Sequence, residues 1–461
     1  MGLPDGPRTP RMVQMIEWIA RPLSYMESCA QRYGDPFTAG FGVFPIIFVS
    51  NPQAIQAIFA VDQAHFDAGR ANSILQPILG DHSLILLDGT QHQRQRRLLT
   101  PPFHGERMRV YGNLIGEIAS RVSAQWPEGQ PFAMRPFMQQ ISMQVILQAV
   151  FGLDVGQRFD RLEKLLFTML DSIGSPLSSS LLFFKGLQKS WGSWSPWGRF
   201  LYQRHQIDEL IYAEIAQRRT EVDPSRTDIF NLLLSARDEH DQPMTDIELH
   251  DELITLLVAG HETTATALSW ALYWICTLPE VHERLVRELD TLAPDADPSS
   301  LLQLPYLNAV CQETLRLYPV AMITFPRVAK LPFQLMGYQI EAGTAVAPCI
   351  YLLHRRPDLY PEPERFRPER FLERQYSPFE FLPFGGGNRR CIGMAFALLE
   401  MKLVLATILV RFDLILAEKG PILPARRGVT LAPSTGVHMI ARRRPSNSPQ
   451  PAPKTDRLRS L

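Results

Sequence analysis

The segment between Thr245 and Pro279 most constrains the fold, because its pattern predicts one long helix. Thr245 is followed three residues later by Glu248, which is typical of a capping box, and Pro279 marks the end of the helix. Apolar residues occupy nearly every side of its middle. Because a helix without a polar face must be enclosed by other elements, we expect it to cross the core of a large protein.

The rest of the chain has the pattern of a mainly helical protein with a small β portion. Helical spacing of apolar residues extends over about 105–292, with proline and glycine between the helices. Strand-like segments occur at 37–50, 333–346 and 428–440. No repeat or linker divides the chain. The sequence therefore predicts one large domain over residues 1–441, followed by a Pro/Ser-rich basic tail over 442–461 that we expect to be disordered.

The composition excludes several classes of protein. The chain has 47 basic and 47 acidic residues, so nucleic acid is not an expected partner. Its five cysteines lack the short paired spacings of zinc or redox sites, and they favour a reducing compartment over a disulfide framework. The N-terminal segment is interrupted by prolines and has no long apolar run, so neither a signal peptide nor a membrane anchor is expected. We therefore expect a soluble, cytoplasmic monomer.

A glycine-rich segment from Phe384 to Gly393, with the sequence FGGGNRRCIG, carries the strongest chemical signal. Glycine permits positive φ and lets the backbone approach a flat ligand closely. A helical run follows Cys391, and a thiolate at a helix N-terminus is expected to have a lowered pKa. An isolated cysteine is usually an ordinary buried thiol, but the coincidence of Phe, Gly, Arg, Cys and Gly favours a metal-ligating role.

Polar residues also interrupt the long apolar helix, in the sequence AGHETT at 259–264. Gly260 weakens the helix there, and a threonine hydroxyl can bond to a carbonyl one turn earlier. We expect these residues to open the helix and make room for a diatomic ligand. Taken alone, the same residues also fit a buried polar network that merely bends a helix.

Together these two motifs resemble the cytochrome P450 superfamily, in particular soluble bacterial members with microsomal-like motifs, over about residues 4–442. The resemblance implies one triangular, mainly helical domain that holds haem b through an axial thiolate from Cys391. It implies a monooxygenase that activates O2 and hydroxylates an apolar substrate. Because no flavin domain or iron–sulfur motif is fused to the chain, the electrons are expected from a separate ferredoxin- or flavodoxin-type donor with its reductase.

The resemblance also assigns roles to individual residues. Thr263 and Glu262 correspond to the family's alcohol–acid pair for proton delivery, and His261 receives no role. The expected haem-binding residues are Cys391, Arg389, His92, Arg96, Arg327, Phe384, Gly385 and Gly393. Many family members carry tryptophan where this chain has His92.

A structural ion network is expected from Glu313 and Arg316, which are three apart, together with Arg370. The same spacing recurs at Glu106–Arg109, Glu362–Arg365 and Glu364–Arg367. Only the Glu313 pair lies in an apolar helix, so the resemblance gives it the role of holding the cysteine loop in place.

By the same resemblance, substrate should contact segments 71–84, 166–195, 257–263, 320–325 and 433–436. The expected pocket residues are Leu257, Ala259, Val320, Ile323 and Thr435. These segments are mostly apolar, which favours a long or bulky substrate such as a fatty acid or a terpenoid. Residues 181–184 and the tryptophans at 191, 194 and 197 form either a mobile lid that touches a membrane surface or simple core packing.

Three arginines are expected on the surface next to the cysteine loop, where they would attract an acidic electron donor: Arg94, Arg97 and Arg390. Two alternatives to a monooxygenase remain at this point. One is a peroxide-using or isomerising haem-thiolate enzyme of the same fold, against which the retention of Glu262 and Thr263 counts. The other is a non-catalytic haem-based sensor or ligand carrier.

Overall fold

The computed structural model describes residues 2–444 apart from 41–44, 106, 154–155, 175–185, 187, 191, 193, 222, 224 and 293–297. Its α-helices are α1 (Arg11–Ala20), α2 (Pro22–Tyr33), α3 (Pro52–Ala60), α4 (Asp62–His65), α5 (Gln76–Leu79), α6 (Gly89–Leu99), α7 (Arg107–Ser123), α8 (Met134–Phe151), α9 (Gln157–Gly174), α10 (Pro196–Thr220), α11 (Ile229–Ser235), α12 (Asp246–Thr277), α13 (Pro279–Leu289), α14 (Pro298–Leu301), α15 (Pro305–Leu317), α16 (Ile350–Leu353), α17 (Arg370–Glu373) and α18 (Met394–Arg411). Short 3-10 helices occur at Arg70–Leu75, Pro101–Phe103 and Gly387–Arg389.

The strands are β1 (Phe37–Ala39), β2 (Ile46–Val49), β3 (Phe66–Asp67), β4 (Pro131–Ala133), β5 (Arg327–Ala329), β6 (Phe333–Leu335), β7 (Tyr338–Ile340), β8 (Ala345–Pro348), β9 (Phe412–Leu416), β10 (Pro424–Arg427), β11 (Thr430–Pro433) and β12 (His438–Arg443). The largest sheet has the order β1-β2-β8-β5-β3, in which β2 and β8 are parallel and the other pairs are antiparallel. A second sheet has the order β4-β12-β9, and two hairpins join β6 to β7 and β10 to β11.

The helix α12 crosses the core as the sequence predicts. Thr245 caps it: its hydroxyl oxygen accepts from the Glu248 N–H (3.3 Å), and the Glu248 carboxylate accepts from the Thr245 N–H (2.8 Å). It packs along α8, and a Cβ on Gly260 would lie 2.4 Å from the Ile146 side chain, so a larger residue at this position would require that side chain to shift. The helix is continuous through Thr263, and the prediction that its backbone hydrogen bonding opens at this point is therefore wrong.

The buried Trp270 shows how α12 holds the small β portion and α15 together. Its indole N–H donates to the carbonyl of Leu431 on β11 (2.9 Å), which satisfies the polar atom of a buried ring. Its ring also stacks on Tyr318, the residue that ends α15, with 3.8 Å between the ring centres. One side chain thus fixes a helix and a hairpin against the central helix.

The predicted mainly helical architecture with a small β portion is confirmed. The strands β1, β2, β6, β7 and β11 lie within the three predicted segments, and β8 and β12 begin in them, but the sequence did not predict β3, β4, β5, β9 and β10. The strand β12 includes Arg442 and Arg443, which pair with Asp413 and Phe412, so two residues that we assigned to the tail belong to a sheet. Residues 445–461, which include the rest of that tail, lie outside the described residues. In the part of the chain that the structure describes, none of the helices has the length and apolar character that a membrane span requires.

Candidate active site

The cysteine loop, residues 384–393, is a tight turn whose shape depends on its glycines. Gly385 and Gly387 both have φ of +64°, a conformation that favours glycine, as the sequence predicted. A Cβ on Gly386 would lie 2.3 Å from the ring of Phe59, so this position cannot take a larger residue without displacing that ring. The loop closes where the N–H of Cys391 donates to the carbonyl of Phe384 (2.9 Å).

Cys391 lies three residues before α18, with Gly393 as the residue that caps the helix. The cysteine is accessible to solvent on one side, although protein atoms surround its sulfur on the others. This burial raises the pKa of the thiol, while the Gly393 N–H, Arg96 and Arg390 act in the opposite direction. The expected lowering of this pKa is therefore wrong, because burial outweighs the helix terminus. A bound metal ion would have to displace the proton to obtain the thiolate.

Cationic side chains gather around this loop. Arg96 on α6 donates to the carbonyl of Arg390 (2.7 Å), and the fully buried Arg327 on β5 donates to the carbonyl of Gly386 (2.9 Å). His92, one turn before Arg96, is also buried. Burial, together with the charges of Arg389 and Arg96, lowers the pKa of His92 to about 3, so its imidazole is neutral at physiological pH.

Arg389 connects the cysteine loop to the loop before α6. Its guanidinium donates to the carbonyl oxygens of Leu84 (3.1 Å) and Leu87 (2.6 Å) and forms an ion pair with Asp88 (2.6 Å). Asp88 also accepts from the backbone N–H groups of residues 68–70. Arg389 therefore positions the loop 80–88 in addition to its predicted contact with a haem propionate.

The face of α12 that carries Thr263 is open to solvent in the middle of an otherwise buried helix. Ala259 is exposed, Thr263 is half-buried, and the Thr263 hydroxyl donates to the Ala259 carbonyl (2.6 Å). This is the back-bond that the sequence predicted. Leu256 shares this face because it lies seven residues before Thr263. Leu257 is turned away and has no exposed surface, so its predicted place in the pocket is wrong.

The accessible thiol, the open face of α12 and the cationic side chains together fit haem. The thiol can serve as an axial ligand, and the small Ala259 leaves space above a flat ring. The side chains of Arg96, Arg327 and Arg389 supply positive charge that two propionates would neutralise. The donor set therefore matches a thiolate-ligated, dianionic porphyrin.

Glu262 faces α8 rather than the open side of α12. Its carboxylate pairs with the buried Arg135 and accepts from the amide of Gln139 (2.9 Å), while the Thr266 hydroxyl lies 3.4 Å away. Glu262 keeps 22% of its side chain exposed, so it touches solvent as well. Sequence reasoning missed Arg135 and Gln139. Their spacing of one helical turn within a largely apolar helix was the available signal.

The ion network around Glu313 is buried and complete. Its carboxylate accepts from Arg316 (2.7 and 2.8 Å), from Arg370 (3.0 Å) and from the Arg367 N–H (2.7 Å). The three charged side chains are at most 2% exposed. Their remaining donors bind carbonyl oxygens of residues 354–365. The sequence prediction of a mutually satisfied triad agrees with this geometry.

The remaining residues that were predicted to contact substrate or form a lid differ in their exposure and contacts. Val320 and Ile323 are half-buried, and the hydroxyl of Thr435 donates to Glu418 (2.8 Å). Trp194 is 92% exposed, whereas Trp197 packs in the core. Trp191 and residues 181–184 of the expected lid lie outside the described residues.

Three arginines were predicted to attract an electron donor, and the prediction for Arg94 is wrong. Arg94 forms ion pairs with Asp238 (2.5 Å), which lies between α11 and α12, and with Glu248 (2.8 Å) at the start of α12, so it connects α6 to both. The hydrogen bond from Arg94 lowers the pKa of Asp238 to about 2. Arg97 is exposed but paired with Glu239, and Arg390 is exposed.

Comparison with known proteins identifies the family of this chain. The family model described as cytochrome P450 matches residues 4–439. The putative cytochrome P450 135B1 of Mycobacterium tuberculosis is 40% identical over 446 residues, which cover 96% of this chain and 92% of that protein. The putative cytochrome P450 135A1 of the same species is 34% identical over 443 residues, covering 95% of each chain.

Two solved structures share the fold. The retinoic acid-bound cyanobacterial CYP120A1 superposes with a TM-score of 0.81 at 26% identity, covering 96% of this chain and all of that chain. The haem domain of cytochrome P450DA superposes with a TM-score of 0.82 at 23% identity, covering 96% and 97%.

The fold and the site thus define a single-domain haem-thiolate monooxygenase. The chain belongs to the cytochrome P450 family, and its haem takes the thiolate of Cys391 as axial ligand.

Glu313→Ala should prevent stable haem incorporation. The change leaves Arg316 and Arg370 buried without their counter-charge, which costs about 3–5 kcal/mol. Glu362→Ala is the matched control, because its pair with Arg365 has the same spacing but is more than 60% exposed and is worth about 0–1 kcal/mol. Haem content and the free energy of unfolding are measured for both. A folded Glu313→Ala protein with full haem content would refute the structural role.

Proposed function

We propose that the protein hydroxylates a long or bulky apolar substrate, a fatty acid or a terpenoid, beside the open face of α12. The residues that we expect to contact the substrate support this proposal. Leu256, Ala259, Val320 and Ile323 are apolar, and three of them keep accessible surface. A pocket with such a lining gains binding energy from burying hydrocarbon, whereas a charged substrate group placed there would lose its hydration without a partner.

The comparison with CYP120A1 favours the terpenoid side of this proposal. That protein is bound to retinoic acid and is 26% identical to this chain. Retinoic acid is a long, rigid and largely apolar molecule, which is the shape that the apolar lining here would accept. A fatty acid has the same length and polarity but is flexible, so it would lose more conformational entropy on binding.

A substrate-induced spin-shift titration tests this proposal. Long-chain fatty acids, linear and cyclic terpenoids and retinoic acid are titrated into the ferric protein, because an apolar ligand that displaces water next to the iron changes the Soret spectrum. We expect saturable shifts from one of these classes, with small polar aromatic compounds as the control. If only the polar controls shift the spectrum, the proposed substrate class is wrong.

We further propose that Thr263 and Glu262 move protons during catalysis. When bound, the haem supplies the reductive activation of O2, in which one oxygen atom enters the substrate and the other leaves as water. The Thr263 hydroxyl lies on the open face and is held by Ala259, where it can donate and receive a proton. Glu262 is the adjacent residue and touches solvent, so it can resupply that proton if its carboxylate moves away from Arg135.

The electrons, we propose, come from a separate acidic ferredoxin- or flavodoxin-type protein that docks beside the cysteine loop. Arg390 precedes the ligand and is exposed, and Arg97 lies on the neighbouring helix α6. Glu239 partly offsets the charge of Arg97, so Arg390 is the stronger docking group.

Thr263→Ala should separate electron consumption from product formation. With a ferredoxin or flavodoxin and its reductase as electron source, we expect product formation to fall on the order of 10²-fold while NAD(P)H consumption continues and H2O2 accumulates. Thr264→Ala is the control, because Thr264 is the adjacent residue but is buried away from the open face. Unchanged coupling in Thr263→Ala would remove Thr263 from the mechanism, and failure of every such donor to support turnover would refute the proposed electron supply.

A further inference from the structure

His354 follows α16 and is one of the most completely buried polar residues of the protein. It has no exposed surface. Its ring stacks on Phe381, with 5.4 Å between the ring centres, and meets the edge of Tyr360. Neither the sequence motifs nor the roles of the site described above account for an imidazole at this position.

The hydrogen bonds of His354 define its tautomer. The backbone N–H of Leu382 donates to Nε2 (2.9 Å), so this nitrogen carries no proton. Nδ1 lies 3.2 Å from the carbonyl oxygen of Arg316, which can only accept, so Nδ1 carries the proton and donates. Burial and the neighbouring charge of Arg316 lower the pKa of His354 well below its usual range, which agrees with a neutral ring.

A short series of hydrogen bonds then leads from His354 to the backbone N–H of Cys391. The carbonyl of Leu382 accepts from the N–H of Gly385 (3.0 Å), and the carbonyl of Phe384 accepts from the N–H of Cys391 (2.9 Å). The bond at Leu382 lies two residues before Phe384, at the entrance of the cysteine loop. A displacement of Leu382 would therefore move both Gly385, which donates to it, and the contact between Phe384 and Cys391.

At its other end His354 is fixed by the ion network. Its own carbonyl accepts from the Arg316 guanidinium (2.9 Å), while its Nδ1–H donates to the Arg316 carbonyl. The side chains of Glu313, Arg316 and Arg370 otherwise bind one another and backbone atoms of residues 361–367, according to their recorded bonds. The imidazole is thus a direct connection between this network and the entrance of the cysteine loop.

We propose that His354 is a positioning residue for the axial ligand: its neutral imidazole transfers the fixed position of Arg316 to Leu382 and so sets where Cys391 meets the iron. The residue acts through the loop and does not touch the reacting atoms. The inference rests on Cys391 as the ligand, but it does not depend on the substrate, the electron donor or the proton-transfer roles of Thr263 and Glu262.

The test replaces the imidazole in two ways that differ only in the acceptor. His354→Phe fills a similar space but leaves the Leu382 N–H buried without an acceptor. His354→Gln can place its amide oxygen near the position of Nε2 and restore that bond. The measured quantity is the ratio of haem that has lost its thiolate ligand to haem that keeps it, in the reduced, carbon monoxide-bound protein. The first form has the blue-shifted Soret band and the second the red-shifted one.

We expect this ratio to rise about tenfold in His354→Phe, a change equivalent to about 1.4 kcal/mol, and to return towards the wild-type value in His354→Gln. His261→Phe is the control, because His261 is also buried but lies on α12, and no hydrogen bond joins it to the cysteine loop among the described residues. A wild-type ratio in His354→Phe, or equal ratios in the Phe and Gln variants, would overturn the proposal.

Hydrogen exchange of the wild-type holoenzyme tests the same bond without any substitution, and it decides the matter if the variants fail to fold. We expect the Leu382 amide to be protected as strongly as amides in the middle of α18, because its acceptor is fixed by a buried network. Rapid exchange at Leu382 would overturn the proposal. Loss of the red-shifted band in every variant, including His261→Phe, together with an unprotected Leu382 amide, would count equally against it.

Discussion

The structure depends on holding one loop of ten residues, 384–393, in a fixed position through two arginines from distant parts of the chain and one arginine of its own. Arg327 holds it at Gly386, Arg96 holds it at Arg390, and Arg389 ties it to the loop before α6. Each of these cations donates to backbone carbonyl oxygens, which are strong and directional acceptors. A flexible glycine-rich segment is thereby made rigid enough to present a sulfur atom at one place.

The same cations have a second consequence, because they concentrate positive charge at a site where protein carboxylates are few. Asp88 is the carboxylate recorded as pairing with Arg389, and it is shared with three backbone N–H groups. Binding a dianionic porphyrin therefore relieves repulsion between arginines as well as burying a large apolar ring. Folding of the loop and binding of the cofactor are expected to stabilise each other.

Local patterns predicted the elements of this site more reliably than its contacts. The capping box at Thr245 and the glycines of the cysteine loop depend on neighbouring residues, and both predictions are confirmed. Leu257 was misplaced because the family segment was carried over without following the phase of the helix from Thr263. Arg94 and the thiol of Cys391 were misjudged because ion pairing over 144 residues and burial are set by tertiary structure. Arg135 and His354 were not predicted for the same reason.

The central claim is that the thiolate of Cys391 binds the iron of a haem beside α12. The most direct measurement is the carbon monoxide difference spectrum of the reduced protein and of its Cys391→His variant. We predict the strongly red-shifted Soret band of a thiolate ligand for the natural sequence and its loss in the variant. Purified protein without haem, or a variant that keeps the red-shifted band, would contradict the account.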